Sequence, residues 1–290
     1  MAPEEYETLA RRAEAAGIDV LSVYHDLLDQ PAIGPLLLMA RVTERIRLGP
    51  AALNPFTLHP YEIAGQIAML DSVSHGRAFL GLAKGAWLDR LGIEEERPLA
   101  GLREAVAIVH ALLAGDDAGV EGERFTLSSG TTLSYPRERS DVPLLIGTWG
   151  RDTVRWAGTV AQEVKVGGSA NPDLVPIVRE WIDNPEVKVV LGSVSVVDDD
   201  GDWARKRATA AVTPYLDVVA HLDPTLGLEP GEPPPVERFC IAGTPEEVAA
   251  RVVELWDAGA DRVELGTPQG RSPLAGVGLV CDRVLPLLRD

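Results

Sequence analysis

Two short stretches hold the residue types from which acid–base and anion-binding sites are made. His25 and Asp26 follow Ile18 to Tyr24, an apolar run that reads as a buried strand. A histidine beside a carboxylate can hold or move a proton near neutral pH, although Asp26 has an equal claim as a loop cap. The other stretch is Gly147-Thr148-Trp149-Gly150-Arg151, a strand end that runs into a helix start. Free N–H groups, the positive end of a helix dipole and an arginine coincide there, and together they suit a phosphate. Gly167-Gly168 ends the next strand and leaves room for a phosphate to approach the backbone. Asn54 carries an amide that could orient a heterocycle, but it precedes Pro55, and turn chemistry is the stronger reading. Gly81 and Gly85 fit strand-end turns. His59, before Pro60, and Trp87 are candidates to touch a substrate, with core packing an equal alternative for Trp87.

Self-sufficient catalytic motifs are missing. The sequence has no His-Glu-x-x-His, no Gly-x-Ser-x-Gly, no phosphate-binding Gly-x-x-x-x-Gly-Lys-Ser/Thr and no Gly-x-Gly-x-x-Gly at its start. No metal site is expected, since the acidic turn Asp198 to Asp202 lacks calcium-loop spacing. Cys240 and Cys281 read as separate reduced thiols. If the chain is an enzyme, a cofactor brings the reactive atom.

These residues need a scaffold of strands with small C-terminal ends. Over 290 residues, apolar runs alternate with amphipathic stretches, and no composition break divides them. Strands are expected at Ile18 to Tyr24, Arg45 to Leu53, Arg77 to Ala83, Val142 to Trp149, Glu163 to Val166, Lys188 to Val197 and Arg262 to Leu265. Helices are expected from Pro3, Ile33, Tyr61, Ala100, Gly150, Pro172, Trp203 and Thr244, the last opened by Thr-Pro-Glu-Glu. A short hairpin is expected from Arg124 to Ser134. The pattern predicts an α/β fold and one domain over residues 1–290: a (β/α)8 barrel, with a doubly wound sheet as runner-up. A barrel should open on a strand, and this chain opens on a helix. The net charge of −17 argues against nucleic acid or an anionic membrane as partner. No apolar run approaches membrane-spanning length, so a soluble, cytoplasmic protein acting on a small molecule is expected.

Taken jointly, seven segments resemble the bacterial-luciferase-like superfamily, in the branch that uses the deazaflavin coenzyme F420 and is similar to methylenetetrahydromethanopterin reductase. They are Ala13-Glu-Ala-Ala-Gly-Ile-Asp19, Thr43-Glu-Arg-Ile-Arg-Leu-Gly49, Asn54-Pro-Phe-Thr-Leu-His-Pro60, Leu70-Asp-Ser-Val-Ser-His-Gly-Arg77, Leu80-Gly-Leu-Ala-Lys-Gly85, Val142-Pro-Leu-Leu-Ile-Gly147 and Gly243-Thr-Pro-Glu-Glu-Val248. The resemblance implies a (β/α)8 barrel with deazaflavin at the strands' C-terminal ends, a non-proline cis peptide between Ala51 and Ala52, and Leu53, Asn54 and Gly85 near the ring. It implies that Thr148, Trp149, Gly150, Arg151, Gly167 and Gly168 hold the phosphate tail, and that the protein is a homodimer.

Three departures narrow the activity. Family members that oxidise sugar phosphates carry a histidine where this chain has Asp26 and a glutamate where it has Ala86, and the first barrel strand is missing here. A reductase of C=C or C=N bonds is therefore expected, with His25 or Asp26 handling the proton. The rivals are an FMN-dependent monooxygenase on the same scaffold and a non-catalytic, degenerate barrel.

Overall fold

The computed structural model describes residues 1–26, 29–229 and 232–289. The chain divides into two compact units, Met1–Gly147 and Thr148–Asp290. Both are α/β, and every strand pairing within them is parallel.

In the first unit the order is α1 (Pro3–Ala16), β1 (Val20–Val23), α2 (Ile33–Ala40), β2 (Arg47–Pro50), α3 (Pro60–Val73), β3 (Leu80–Ala83), α4 (Pro98–Ala114) and β4 (Leu144–Gly147). Helix α1 starts at a first-turn proline with Glu4 and Glu5 behind it, and ends at Gly17 with φ +81°. β1 pairs with β2 and β3 with β4, while the bridges Leu48–Ala78 and Leu53–Leu82 join β2 to β3. Glycine lets these strands approach. A Cβ on Gly81 would stand 2.1 Å from the Pro50 carbonyl oxygen, so no other residue fits.

Polar anchors fasten the connections. The Glu14 carboxylate accepts the N–H groups of Glu44, Arg45 and Ile46 at 2.6 to 3.0 Å, holding the entry to β2 against α1. Burial pushes this carboxyl up, but those three N–H groups outweigh it and hold it below 4.5. Arg77 donates to the carbonyls of Ala40, Thr43, Ile46 and Ser74.

The second unit runs α5 (Arg151–Val160), β5 (Glu163–Gly167), α6 (Leu174–Ile182), β6 (Lys188–Val197), α7 (Gly201–Val219), β7 (Cys240–Gly243), α8 (Pro245–Asp257), β8 (Arg262–Gln269) and α9 (Pro273–Leu279). β6 is its spine, pairing with β5, β7 and β8. One face of α7 packs Ala204, Ala208 and Val212 against Val196 and Phe239. Thr244 caps α8 in a reciprocal pair with Glu247.

The alternation and the opening helix match the reading of the sequence. Differences are local. Cys240–Gly243 is an eighth strand that the sequence reading omitted, hidden behind a Pro-rich loop and only four residues long. The expected hairpin is reduced to one antiparallel bridge, Val120–Leu127, and Thr131 to Ser134 forms no strand. Pairing is decided there by Gly119, whose φ of +85° turns Val120 back toward Leu127.

Candidate active site

Parallel pairing brings the C-terminal ends of β1, β2 and β3 to one side of the first unit, and the candidate residues of that unit follow those ends. His25 lies two residues beyond β1, half-buried, and its Nδ1 accepts the Ala32 N–H at 3.1 Å. Burial pushes the imidazole below its ordinary 6.5. Asp26 is half-buried, and its carbonyl accepts the Asp29 N–H.

After β2 the Ala51–Ala52 peptide is cis, at the position the resemblance implies. The Ala51 N–H donates to the Val23 carbonyl at 2.9 Å, and Leu53 exchanges hydrogen bonds with Gly81 and Ala83, each 2.9 Å. The bulge is thereby fixed to β1 on one side and β3 on the other. Around it the side chains are minimal: a Cβ on Gly147 would stand 3.4 Å from the Cβ of Ala83 and 3.8 Å from that of Ala52. Small residues on a backbone-defined floor leave a place for a flat ring.

Asn54 is buried, and its Oδ1 accepts the N–H groups of Phe56 and Thr57 and the Thr57 hydroxyl at 2.9 to 3.1 Å. Turn chemistry thus takes the oxygen, leaving Nδ2 beside Gly85, 3.1 Å from where a Cβ there would stand. Gly85 is exposed with φ +79°. His59 is exposed and caps α3, its Nδ1 accepting the Tyr61 N–H at 3.2 Å while the ring meets Phe125 edge-on. Trp87 has φ +53°, and the Arg90 guanidinium lies 5.5 Å over its ring.

In the second unit Gly150 is the N-cap of α5 with no side-chain cap, and the first helical bond runs from Val154 to its carbonyl. The N–H groups of Arg151, Asp152 and Thr153 therefore face outward without a helical partner. Arg151 is exposed. Thr148 Oγ1 accepts the Gly150 N–H at 3.0 Å, and the Trp149 indole N–H donates to the Gly167 carbonyl at 2.7 Å, tying the loop before α5 to the end of β5. A Cβ on Gly167 would meet nothing within 4 Å, so space lies above β5. The N–H groups of Gly168 and Ser169 both donate to the Gly192 carbonyl, so the anion donors here are those of α5.

One half-buried group of charges escaped the sequence reading. Lys165 on β5 pairs with Glu264 on β8 at 2.5 Å, and Arg262 joins Glu264 at 2.9 Å and Glu163 at 2.7 Å. Lys165 passes over Gly192 of β6, where a Cβ would stand 2.7 Å from its Cε. The signal was present: Glu-Val-Lys-Val and Arg-Val-Glu-Leu alternate charge with apolar residues and are opposite in sign.

Residues 1–262 match the family model described as Luciferase-like monooxygenase. The chain belongs to that family. It is 26% identical to 5,10-methylenetetrahydromethanopterin reductase of Methanopyrus kandleri, over 99% of this chain and 96% of the relative. It is 27% identical to an F420-dependent glucose-6-phosphate dehydrogenase of Nakamurella multipartita, over 99% of this chain and 93% of the relative. The solved coenzyme F420-dependent tetrahydromethanopterin reductase of Methanopyrus kandleri superposes with a TM-score of 0.83 at 25% identity, covering 99% of this chain and 96% of that one.

Proposed function

We propose that this family member is a coenzyme F420-dependent oxidoreductase that reduces an unsaturated small molecule at a C=C or C=N bond. The observation that carries the reading is the floor of the first unit: Ala52 and Ala83 flank Gly147, and a Cβ there would stand 3.8 and 3.4 Å from theirs. The residues fit a deazaflavin. Within the first unit, backbone at Leu53 and the Asn54 Nδ2 suit the ring and Gly85 leaves its edge uncovered; within the second, the α5 N-terminus with Arg151 suits a phosphate. When bound, the deazaflavin supplies hydride from a ring carbon. His25 and Asp26 hold and orient the proton at the substrate, and Trp87 walls the substrate side.

The solved tetrahydromethanopterin reductase and the glucose-6-phosphate dehydrogenase, each named as F420-dependent, support the cofactor assignment. Ala86 and Asp26, where sugar-phosphate oxidisers carry a glutamate and a histidine, support reduction of an unsaturated acceptor over sugar-phosphate oxidation. The family model crosses the boundary between the two units, which supports reading them as one family domain. A homodimer is proposed with this activity, supported by the exposed apolar side chains Tyr61 and Met69 of α3 and the nearby Tyr135 on a chain of net charge −17. Light scattering at a mass near twice 31.1 kDa checks it. A cytoplasmic site of action is proposed too. No helix among the described residues is long and apolar enough to cross a membrane.

The test is a fluorescence titration with oxidised F420 and, separately, FMN. Saturable F420 binding with none for FMN is expected. Binding of FMN alone replaces this reading with a monooxygenase, and binding of neither leaves a non-catalytic member of the family.

A further inference from the structure

The surroundings of His25 decide which of its nitrogens is free to act. The Ala32 N–H points at Nδ1 across 3.1 Å, and two N–H groups cannot share that line. Nδ1 therefore carries no proton, and the neutral ring keeps its proton on Nε2. Among the described residues Nε2 has no hydrogen-bond partner. The tether is itself anchored: Ala32 is fully buried at the start of α2, and the Tyr6 hydroxyl of α1 donates to Gln30 Oε1 at 2.6 Å, fastening the segment that leads to it. The half-buried ring loses solvation if it becomes charged, which keeps it neutral in the same direction.

We propose that His25 serves as a fixed neutral donor, its Nε2–H hydrogen-bonded to a lone pair of the bound substrate. This rests on the reductase reading and narrows it. The substrate class is a double bond conjugated to a carbonyl oxygen or ending in an imine nitrogen, where such a donor draws electron density away from the carbon to be reduced. His25 then does not deliver the proton as an imidazolium.

The first test needs no turnover. Long-range proton–nitrogen correlation spectra of histidine-labelled protein, with the His25 signals assigned by their loss in His25→Gln, report which nitrogen is protonated. His59 is the internal reference, because its Nδ1 also accepts a backbone N–H. A protonated Nε2 beside a bare Nδ1 is expected, with the Nε2–H signal moving downfield when cyclohex-2-en-1-one is added to protein saturated with oxidised F420. A protonated Nδ1, two equivalent nitrogens or an unmoved Nε2–H overturns the proposal.

The second test compares His25→Gln, whose amide reaches the place of Nε2, with His25→Asn, whose amide reaches only that of Nδ1. Titration with F420 first shows that both variants fold and load. With reduced F420 and cyclohex-2-en-1-one, the glutamine variant is expected to keep kcat/KM within about tenfold, and the asparagine variant to lose about a hundredfold, the scale of removing one placed donor. Equal losses or the reverse order overturn the proposal. If the wild-type protein reduces no enone, the reductase reading falls, whereas the nitrogen pattern of His25 still decides the present one.

Discussion

In the first unit the strand ends carry alanine and glycine, and the shape there is set by backbone: a cis peptide, a carbonyl from β1 and a ladder to β3. In the second unit the face shared by β5 and β8 carries Glu163, buried, with Lys165, Arg262 and Glu264, half-buried, all locked to one another. One region makes space by omitting side chains, and the other fills space with charge. An omission resists addition: a Cβ on Gly81 meets the Pro50 carbonyl, which cannot move, and one on Gly85 meets the Asn54 side chain. A charge network tolerates no subtraction, because each member removed strands its partner in a poorly solvated place.

The largest expected effect comes from breaking the network. Arg262→Met takes the bridge from two carboxylates and should cost about 3–5 kcal/mol, read as a lowered urea midpoint. Removing Lys165 and Glu264 together leaves Arg262 with Glu163, so Lys165→Met/Glu264→Met should lose less than Glu264→Met alone. A double mutant worse than the single would show that the four side chains are not one balanced set.

Next is an addition in the first unit. Gly85→Val places a branched side chain at φ +79°, against an Asn54 Cγ 3.0 Å from the new Cβ. It should destabilise by about 1–3 kcal/mol and weaken F420 binding at least tenfold. Unchanged affinity would remove Gly85 from the ring's edge.

Smaller still is the Glu14 anchor. Its folded-state carboxyl lies below its unfolded value, so its stabilisation is complete above about pH 4.5 and lost as pH falls through the folded value. Glu14→Gln should flatten the fall in melting temperature on acidification below pH 5, and an unaltered slope would count against it. His25 acts in the same direction. With its folded value depressed, its stabilisation is full above about pH 6.5 and declines as pH falls below that. The smallest effect is His59→Ala, expected to cost about 1 kcal/mol as a lost helix cap while leaving F420 affinity intact. A large loss of affinity would return His59 to the substrate.

How much could be read from sequence differs between the same two regions. The strand ends of the first unit were legible because small residues and Asn-Pro stand next to apolar runs, and the cis peptide came through resemblance alone. Which way Asn54 turned its oxygen depended on Thr57, three residues on, and on a loop closure that spacing does not encode. The charges of β5 and β8 are 99 positions apart where they touch, and acquire meaning only once both strands are registered on β6. The commitment of the Gly168 N–H to Gly192 is likewise a consequence of register.

Gly192 lies under the end of the Lys165 side chain, where a Cβ would stand 2.7 Å from Cε and 3.2 Å from Nζ. The two positions are therefore coupled along a lineage. Alanine at 192 displaces the Lys165 ammonium from Glu264, so the ion pair, and not the chain's path, is what the change puts at stake. Among homologous chains, a side chain at 192 should go with loss of the lysine–glutamate pair.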